Sequence, residues 1–169
     1  APVLSSTPAV FANGSEDTAY TIKVSDLLQG YSDVDGDTLS VLNLQATNGS
    51  VVNNQDGTYT FTPNANFNGT VQLSYQVSDG TAVINATNSI TLNAVNDAPV
   101  LSSTPAVLVN GTEDTAYTIK VSDLLQGYSD VDGDTLSVLN LQATNGSVVN
   151  NQDGTYTFTP NTNFNGTVQ

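Results

Sequence analysis

The stretch VQLSYQVS, residues 71–78, decides the fold class because apolar and polar side chains alternate along its whole length. A period of two residues places successive side chains on opposite faces of a β-strand. The apolar positions are Val71, Leu73, Tyr75 and Val77. We therefore expect one face of this strand to pack in a core and the other to meet water.

Similar short strands are predicted on both sides of this stretch. The run 58–62 also alternates, ends at Pro63, and is preceded by a hairpin partner at 50–52. The other predicted elements are strands at 3–10, 20–24, 39–41, 84 and 90–92, a helical turn over 26–29 capped by Asp26, and an acidic loop over 31–37. About seven short strands with regular turn signals are typical of an immunoglobulin-like Greek-key β-sandwich.

The chain repeats itself. Ala98 begins a second copy of the sequence that begins at Ala1, so the period is 97 residues, and the copies run without a gap to Gln169. They differ at four positions, namely Phe11/Leu108, Ala12/Val109, Ser15/Thr112 and Ala65/Thr162. A period of this length predicts a tandem array of whole domains, because solenoid repeats are typically ~20 to 50 residues long. We expect repeat 1 at 1–97 and repeat 2 at 98–169.

Composition excludes several kinds of function. The chain has 16 acidic and two basic residues and a net charge of −14, which disfavours binding to nucleic acid and to anionic membranes and favours cations. It has no Cys, His, Met or Trp, so hard oxygen ligands are the metal-binding groups that remain. No apolar run has the ~18 to 20 residues of a membrane span, so membrane insertion is not expected.

Most of the acids fall in predicted loops, where the ends of a sandwich carry binding sites. The segment Asp33-Val34-Asp35-Gly36-Asp37 places three carboxylates within five residues. Their repulsion is relieved by a divalent cation or by full solvation, and Ca²⁺ prefers six to eight such oxygens. A solvated acidic turn explains this loop taken alone equally well, because Asp-Gly is common in turns.

Four motifs follow one another along the chain, namely Glu16, Asp33-x-Asp35-Gly36, Asp79-Gly80 and Asn96-Asp97-x-Pro99. In this order they resemble those of the bacterial cadherin-like tandem repeats of large calcium-dependent surface adhesins of the repeats-in-toxin type. Glu16 resembles the strand-A glutamate of cadherins, and Asp33-x-Asp35-Gly36 resembles their Asp-x-Asp loop. Asp79-Gly80 resembles the aspartate that closes strand F, and Asn96-Asp97-x-Pro99 resembles their interdomain linker. Two departures imply fewer than three ions at each junction. Ala94 replaces the first linker aspartate, and residues 57–63 carry no Asp-Arg-Glu motif.

The resemblance implies Ca²⁺ between neighbouring repeats. The ligands that it implies for the junction of the two copies are Glu16, Asn96, Asp97, Asp130 and Asp132. It assigns Asp33, Asp35 and Asp79 to a junction with a preceding repeat. It also implies an extracellular protein, secreted or on a bacterial cell surface.

Together, charge, repetition and resemblance predict structural spacer repeats that Ca²⁺ stiffens, with neighbouring repeats of the same protein as partners. Near-identical neighbours suit a spacer, because a recognition module is expected to diverge at its binding loops. The alternative is a module that binds polysaccharide or another copy of itself. We do not expect an enzyme, because glycoside hydrolysis needs a carboxyl group with a raised pKa in a cleft, and these acids crowd into solvated loops.

Two further patterns have plain structural explanations. Asn-Gly-Ser/Thr sequences read as N-glycosylation sequons, but tight turns explain them better. Tyr20, Tyr59, Phe61 and Tyr75 suggest a sugar-binding platform, but aromatic residues at period two on sandwich strands are usually core residues.

Repeat 2 has no counterparts of residues 73–97, which include the predicted last two strands. A sandwich without them exposes an apolar face and unpaired strand edges. Two explanations stay open at this point. Either a segment of another chain completes repeat 2 by strand exchange, or the missing strands follow in a longer protein.

Overall fold

The structure is a computed structural model that describes residues 1–169. It contains two compact units, Ala1–Val95 (unit 1) and Asn96–Gln169 (unit 2). Both consist of β-strands apart from one four-residue helix each. The predicted all-β class is confirmed.

Unit 1 contains nine strands and one helix. The strands are β1 (Pro2–Leu4), β2 (Gly14–Ser15), β3 (Tyr20–Lys23), β4 (Tyr31–Asp33), β5 (Ser40–Ala46), β6 (Gly49–Asn53), β7 (Thr58–Pro63), β8 (Gly69–Ser78) and β9 (Val83–Asn93). The helix, α1 (Val24–Leu27), lies between β3 and β4. Two main sheets result, with the strand orders β2-β9-β8-β5 and β3-β7-β6, and β1 pairs with β4 in a small third sheet.

The core of unit 1 lies between its two main sheets, as in a β-sandwich. The inward residues of β8 are Val71, Leu73, Tyr75 and Val77, and at most 3% of each is exposed. They pack in one cluster with buried residues of other elements, namely Ile22, Leu27, Val41, Tyr59, Phe61, Ala86, Ile90 and Leu92. The alternating apolar residues of 71–78 therefore form a core stripe, and Tyr59, Phe61 and Tyr75 are core residues.

Unit 2 contains five strands and one helix. They are β10 (Val100–Leu101), β11 (Tyr117–Lys120), α2 (Val121–Leu124), β12 (Tyr128–Ser129), β13 (Gly146–Asn150) and β14 (Thr155–Pro160). The sheet β11-β14-β13 repeats the β3-β7-β6 sheet of unit 1, with the same pairing register. Gly146 faces the ring of Phe158 so closely that a Cβ there would lie 2.3 Å from it, which explains a glycine at this position and at Gly49.

Segments 137–143 and 40–46 have the same sequence but different conformations. In unit 1 the segment is β5, which pairs with β8. In unit 2 no strand forms there, and residues 111–112, the counterparts of β2, form none either. In unit 1, β5 pairs with β8 and β2 pairs with β9, whereas unit 2 contains no counterpart of β8 or β9. Their extended structure therefore depends on the partner strand more than on local sequence.

Several local predictions were wrong in detail. The helical turn begins at Val24, with Lys23 at the N-cap position and no side-chain cap, so Asp26 lies inside the first turn. Part of the predicted acidic loop is β4, because β1 pairs with it. The predicted strand over 3–10 ends at Leu4, and the predicted strand at 39–41 extends to Ala46.

Replacing Tyr75 tests the core of unit 1. Tyr75→Ala should reduce the free energy of unfolding by ~3 to 5 kcal/mol, the usual cost of truncating a buried aromatic side chain. Tyr75→Phe removes only the hydrogen bond from the Tyr75 hydroxyl to the Leu27 carbonyl oxygen (2.9 Å) and should cost ~1 kcal/mol. Urea unfolding measures both, with Ser74→Ala on the exposed face of β8 as the control. Equal effects of Tyr75→Ala and Ser74→Ala would contradict the core assignment.

Candidate metal centre

The acidic loop of unit 1 brings three carboxylates together. One carboxylate oxygen each of Asp33, Asp35 and Asp37 lies within 4.8 Å of the others. The backbone turns tightly here, since Asp33 Oδ1 accepts a hydrogen bond from the Asp35 N–H (2.8 Å) and the Asp33 carbonyl oxygen accepts one from Gly36. Gly36 has a φ of +80°, which favours glycine. Asp37 therefore lies with Asp33 and Asp35, the two residues of this loop that the family resemblance implies as calcium ligands.

Asp79 reaches the same place from the turn between β8 and β9. The α-ammonium group of Ala1 lies 3.0 Å from Asp33 Oδ2 and 3.2 Å from Asp79 Oδ2. The side chain of Asp33 is fully buried and that of Asp79 is 4% exposed. Two buried carboxylates thus lie close together around one nitrogen atom, although their residues are far apart in sequence.

The pKa values of both carboxyl groups are lowered. Hydrogen bonds from the backbone N–H groups of Ala82 and Thr81 lower the pKa of Asp79 from 3.8 to about 2, and the nearby ammonium group contributes less. The ammonium group is the largest cause of the lowered pKa of Asp33, followed by the Asp35 N–H. Both groups are therefore ionised at neutral pH, as metal ligands must be.

These residues fit a Ca²⁺ ion. Asp33 Oδ2 is buried, and its one close polar partner is the Ala1 nitrogen at 3.0 Å, so this carboxylate oxygen needs a cation beside it. The surrounding groups are carboxylates, which are the hard ligands that Ca²⁺ prefers. Asp33, Asp35, Asp37 and Asp79 would hold the ion.

Unit 2 repeats the loop but not the carboxylate of Asp79. Asp130 Oδ1 accepts hydrogen bonds from the N–H groups of Asp132 (2.9 Å) and Asp134 (3.3 Å). Asp132 Oδ2 accepts one from the N–H of Asp97 at 2.7 Å. The structure thus brings Asp97, Asp130 and Asp132 together, as the resemblance implies, while the Asn96 side chain donates to the Asp97 carbonyl oxygen.

Glu16 occupies a buried position in unit 1. Its side chain accepts hydrogen bonds from the N–H of Val95 (2.5 Å) and from Asn68 Nδ2 (3.2 Å), and its own N–H donates to the Asn93 carbonyl oxygen. Glu16 is 1% exposed. It therefore fixes the end of β9 to the start of unit 1, and its assignment as a calcium ligand stays a prediction. The contact of Asn68 was not predicted, because Asn68-Gly69 has the pattern of a tight turn and was interpreted as a turn alone.

The acids outside these clusters have structural partners. Asp17 Oδ1 accepts the N–H of Asn66 (2.9 Å), and Asp114 repeats this contact with Asn163. Asp56 and Asp153 each accept the hydroxyl of the threonine two residues later at 2.6 Å, which lowers their pKa values. These acids stabilise turns and lie outside the candidate centre.

The lowered pKa of Asp79 predicts a loss of stability in acid. Because the pKa is lower in the folded state than in the unfolded state, ionised Asp79 stabilises unit 1 above pH 3.8, and this contribution disappears as the pH falls towards about 2. Asp79→Asn keeps an oxygen that accepts the two backbone hydrogen bonds but cannot ionise. The difference in unfolding free energy between wild type and this variant, measured in urea without metal, should shrink between pH 4 and pH 2. A difference that does not change with pH would contradict the assignment.

The cadherin-like domain family matches the chain over residues 1–93 and again over residues 95–169. Similar solved structures include a variant of endo-fucoidan hydrolase MfFcnA4 and endo-fucoidan hydrolase MfFcnA9, both from glycoside hydrolase family 107. The first is 24% identical with a TM-score of 0.43, covering 95% of this chain and 24% of that chain. The second is 19% identical with a TM-score of 0.37, covering 96% of this chain and 30% of that chain. This chain thus spans less than a third of either hydrolase, and likeness at these scores carries no argument about activity.

No curated protein matches the chain significantly. No helix in the structure is long and apolar enough to cross a membrane.

Proposed function

Since the chain belongs to the family of cadherin-like domains, we propose that its repeats are structural extenders of an extracellular adhesin, with Ca²⁺ bound at the junctions between successive repeats. Each ion would neutralise acidic groups of the two repeats that meet there and reduce the freedom of the hinge. The proposed partners are neighbouring repeats of the same protein, on a bacterial surface or in a secreted product.

The observation that carries the calcium part is the arrangement of Asp33 and Asp79. Each directs Oδ2 at the same nitrogen, 3.0 and 3.2 Å away, from a side chain with little or no exposure. A buried pair of carboxylates is unfavourable unless a cation lies between them. Asp35 and Asp37 each add a carboxylate oxygen within 4.8 Å of one of Asp33, which makes a divalent ion with several oxygen ligands the best match.

The spacer part is supported by repetition. The acidic loop 130–134 is identical to 33–37, and none of the four differences between the copies lies in it. Successive junctions would therefore offer the same ligands, which suits an extended array with uniform stiffness.

We propose no catalytic role for these carboxylates. A general acid needs a raised pKa, whereas the pKa values of Asp33 and Asp79 are lowered. The buried positions of Tyr59, Phe61 and Tyr75 also remove the aromatic platform considered for sugar binding.

Adding Ca²⁺ should lengthen and stiffen the two-repeat chain and raise its melting temperature. A ligand that binds only the folded state stabilises it by ~2.7 kcal/mol at a concentration 100 times its dissociation constant. Small-angle X-ray scattering and calorimetry measure the two effects, and a chelator should reverse both. Identical scattering and melting curves in millimolar Ca²⁺ and in chelator would refute the structural role of calcium.

Two aspartates of unit 2 give a matched pair of variants. Asp132→Asn should weaken Ca²⁺ binding about tenfold or more, since affinity depends on the number of charged ligands. Asp153→Asn also removes one charge, but from the turn in which Asp153 accepts the Thr155 hydroxyl, and it should leave Ca²⁺ affinity unchanged. Isothermal titration calorimetry measures both. Equal losses would mean that general acidity, not a defined site, attracts the ion.

A further inference from the structure

The two main sheets of unit 1 end in four edge strands, and three of these edges are protected. β2 is only two residues long, and β5 contains a bulge between Leu42 and Gln45, where Asn43 has a φ of +53°. β3 carries the exposed Lys23. Short length, bulges and lysine side chains are features that keep an edge strand from pairing with another chain. The fourth edge, β6, is five residues long and has no bulge, proline or charged residue.

The backbone groups on the open side of β6 have no strand beside them. The Asn64 N–H donates to the Asn48 carbonyl oxygen (2.8 Å) at the start of the ladder between β6 and β7. Because backbone groups alternate in direction along a strand, the even-numbered residues of β6 direct their N–H and C=O groups to β7. Those of Gly49, Val51 and Asn53 point away from β7, and β6 pairs with no other strand. This side of β6 therefore offers a row of donors and acceptors to a further strand.

An exposed valine lies beside this row. Val52 is 60% exposed on β6, and its counterpart Val149, on the edge strand β13 of unit 2, is 59% exposed. No residue of β6 or β13 is charged, although the chain has a net charge of −14. Two copies of a chain with this charge repel each other in general. At this edge they can approach without placing carboxylates against each other.

We propose that the open edge of β6, and the same edge of β13, is a self-association site that pairs antiparallel with the same strand of a second copy of this chain. Identical strands paired in this way are related by a two-fold axis, so each side donates and accepts the same hydrogen bonds. In the register that places Val52 opposite Val52 of the second copy, Val51 and Asn53 exchange backbone hydrogen bonds across the contact. The two valines form a non-hydrogen-bonded pair, in which opposite side chains are closest.

This register also keeps acidic groups apart. Within residues 48–56 the one acid is Asp56, and it is aligned with Asn48 of the second copy, because both lie four positions from Val52. In unit 2, Asp153 is aligned with Asn145 in the same way. Like charges directly opposite each other destabilise a strand pair, and here none meet. The edge is therefore complementary to itself, and β6 pairs with β13 as well as with β6.

Such pairing goes beyond an extender role, because it gives an array of repeats a lateral contact. A strand of five residues buries far less than the ~1,200 Å² of a stable interface, so one pair alone is weak. Every repeat with this sequence carries the same edge, and pairing at one repeat raises the effective concentration at the next. The partner that the edge fits is therefore a second array of the same repeats.

Cysteine variants test the register, since the chain has no cysteine of its own. Val52→Cys places the thiols of two paired copies opposite each other, at a spacing that allows a disulfide. In a glutathione redox buffer this variant should form a covalent dimer, measured on non-reducing gels. Thr62→Cys, exposed on the neighbouring strand β7, is the control and should form about tenfold less dimer at the same concentration. Equal amounts of dimer from the two variants overturn the proposal.

Lysine substitutions at the edge test association in solution. The mass of the wild type in sedimentation velocity should rise with concentration, whereas the double variant Val52→Lys, Val149→Lys should stay monomeric, because like charges then face each other. The control Thr62→Lys, Thr159→Lys changes the net charge equally from the neighbouring strands and should associate like the wild type. A wild type that is monomeric up to millimolar concentration, or equal association of the two double variants, overturns the proposal.

Residue-resolved amide exchange locates the contact. The N–H groups of Val51 and Asn53 should become protected as the concentration rises, because they then donate to the second copy. Those of Thr21 and Lys23, which point away from β7 on the opposite edge of the same sheet, should not change. Association without new protection at Val51 and Asn53 means that another surface is used and overturns the proposal.

The same measurement in chelator separates this site from the proposed metal centre. No residue of β6 belongs to that centre, so association and protection should be the same in chelator and in Ca²⁺. Loss of association in chelator assigns the contact to calcium and overturns the edge site. Association that persists in a chain without any calcium response leaves the edge site standing and counts against the metal centre.

Discussion

The pairing of β8 with β9 is the constraint on which the rest of unit 1 depends. This hairpin supplies the inward stripe of Val71, Leu73, Tyr75 and Val77, and each such side chain contributes ~1.5 to 3 kcal/mol when fully buried. It also pairs with β5 on one side and β2 on the other. Unit 2 is an internal comparison: its β11-β14-β13 sheet forms with the same register, but segment 137–143 stays irregular. The sheet that includes β7 is therefore locally specified, whereas the opposite sheet forms around the hairpin.

The acidic loops are held in place by backbone hydrogen bonds. Asp33 and Asp130 each accept the N–H of the residue two positions later, and Asp79 accepts two N–H groups at the tip of the hairpin. Such bonds favour the ionised form and orient the second oxygen of each carboxylate away from the backbone. The same bonds thus keep the charge and arrange the oxygens for a cation. In a chain with a net charge of −14, neutralising these groups also lowers the general repulsion.

Sequence reasoning succeeded where the pattern is local and failed where a distant partner decides. The alternation of 71–78 predicted β8, and the period-two run at 58–62 predicted β7. The edge strand β4 was missed because its residues look like a loop until β1 pairs with them. In the same way the spacing of Asp33, Asp35 and Asp37 indicated a cluster, whereas Asp79 was assigned to it by the family resemblance and not by any local pattern. Glu16 and Val95 are 79 residues apart in sequence, and the residues next to neither of them indicate that they form a hydrogen bond.

Near-identity of adjacent repeats has two opposite physical consequences. It gives every repeat in an array the same loop ligands, but it also makes the hairpin of one repeat fit the core of another, a known hazard in multidomain folding. The polar side chains on the outward face of the hairpin limit this hazard. The outward residues Gln72, Ser74 and Gln76 are polar, and the acids lie in the loops, so an undocked hairpin gains little from nonspecific contacts. What remains attractive is the inward stripe, which requires a complementary groove in register.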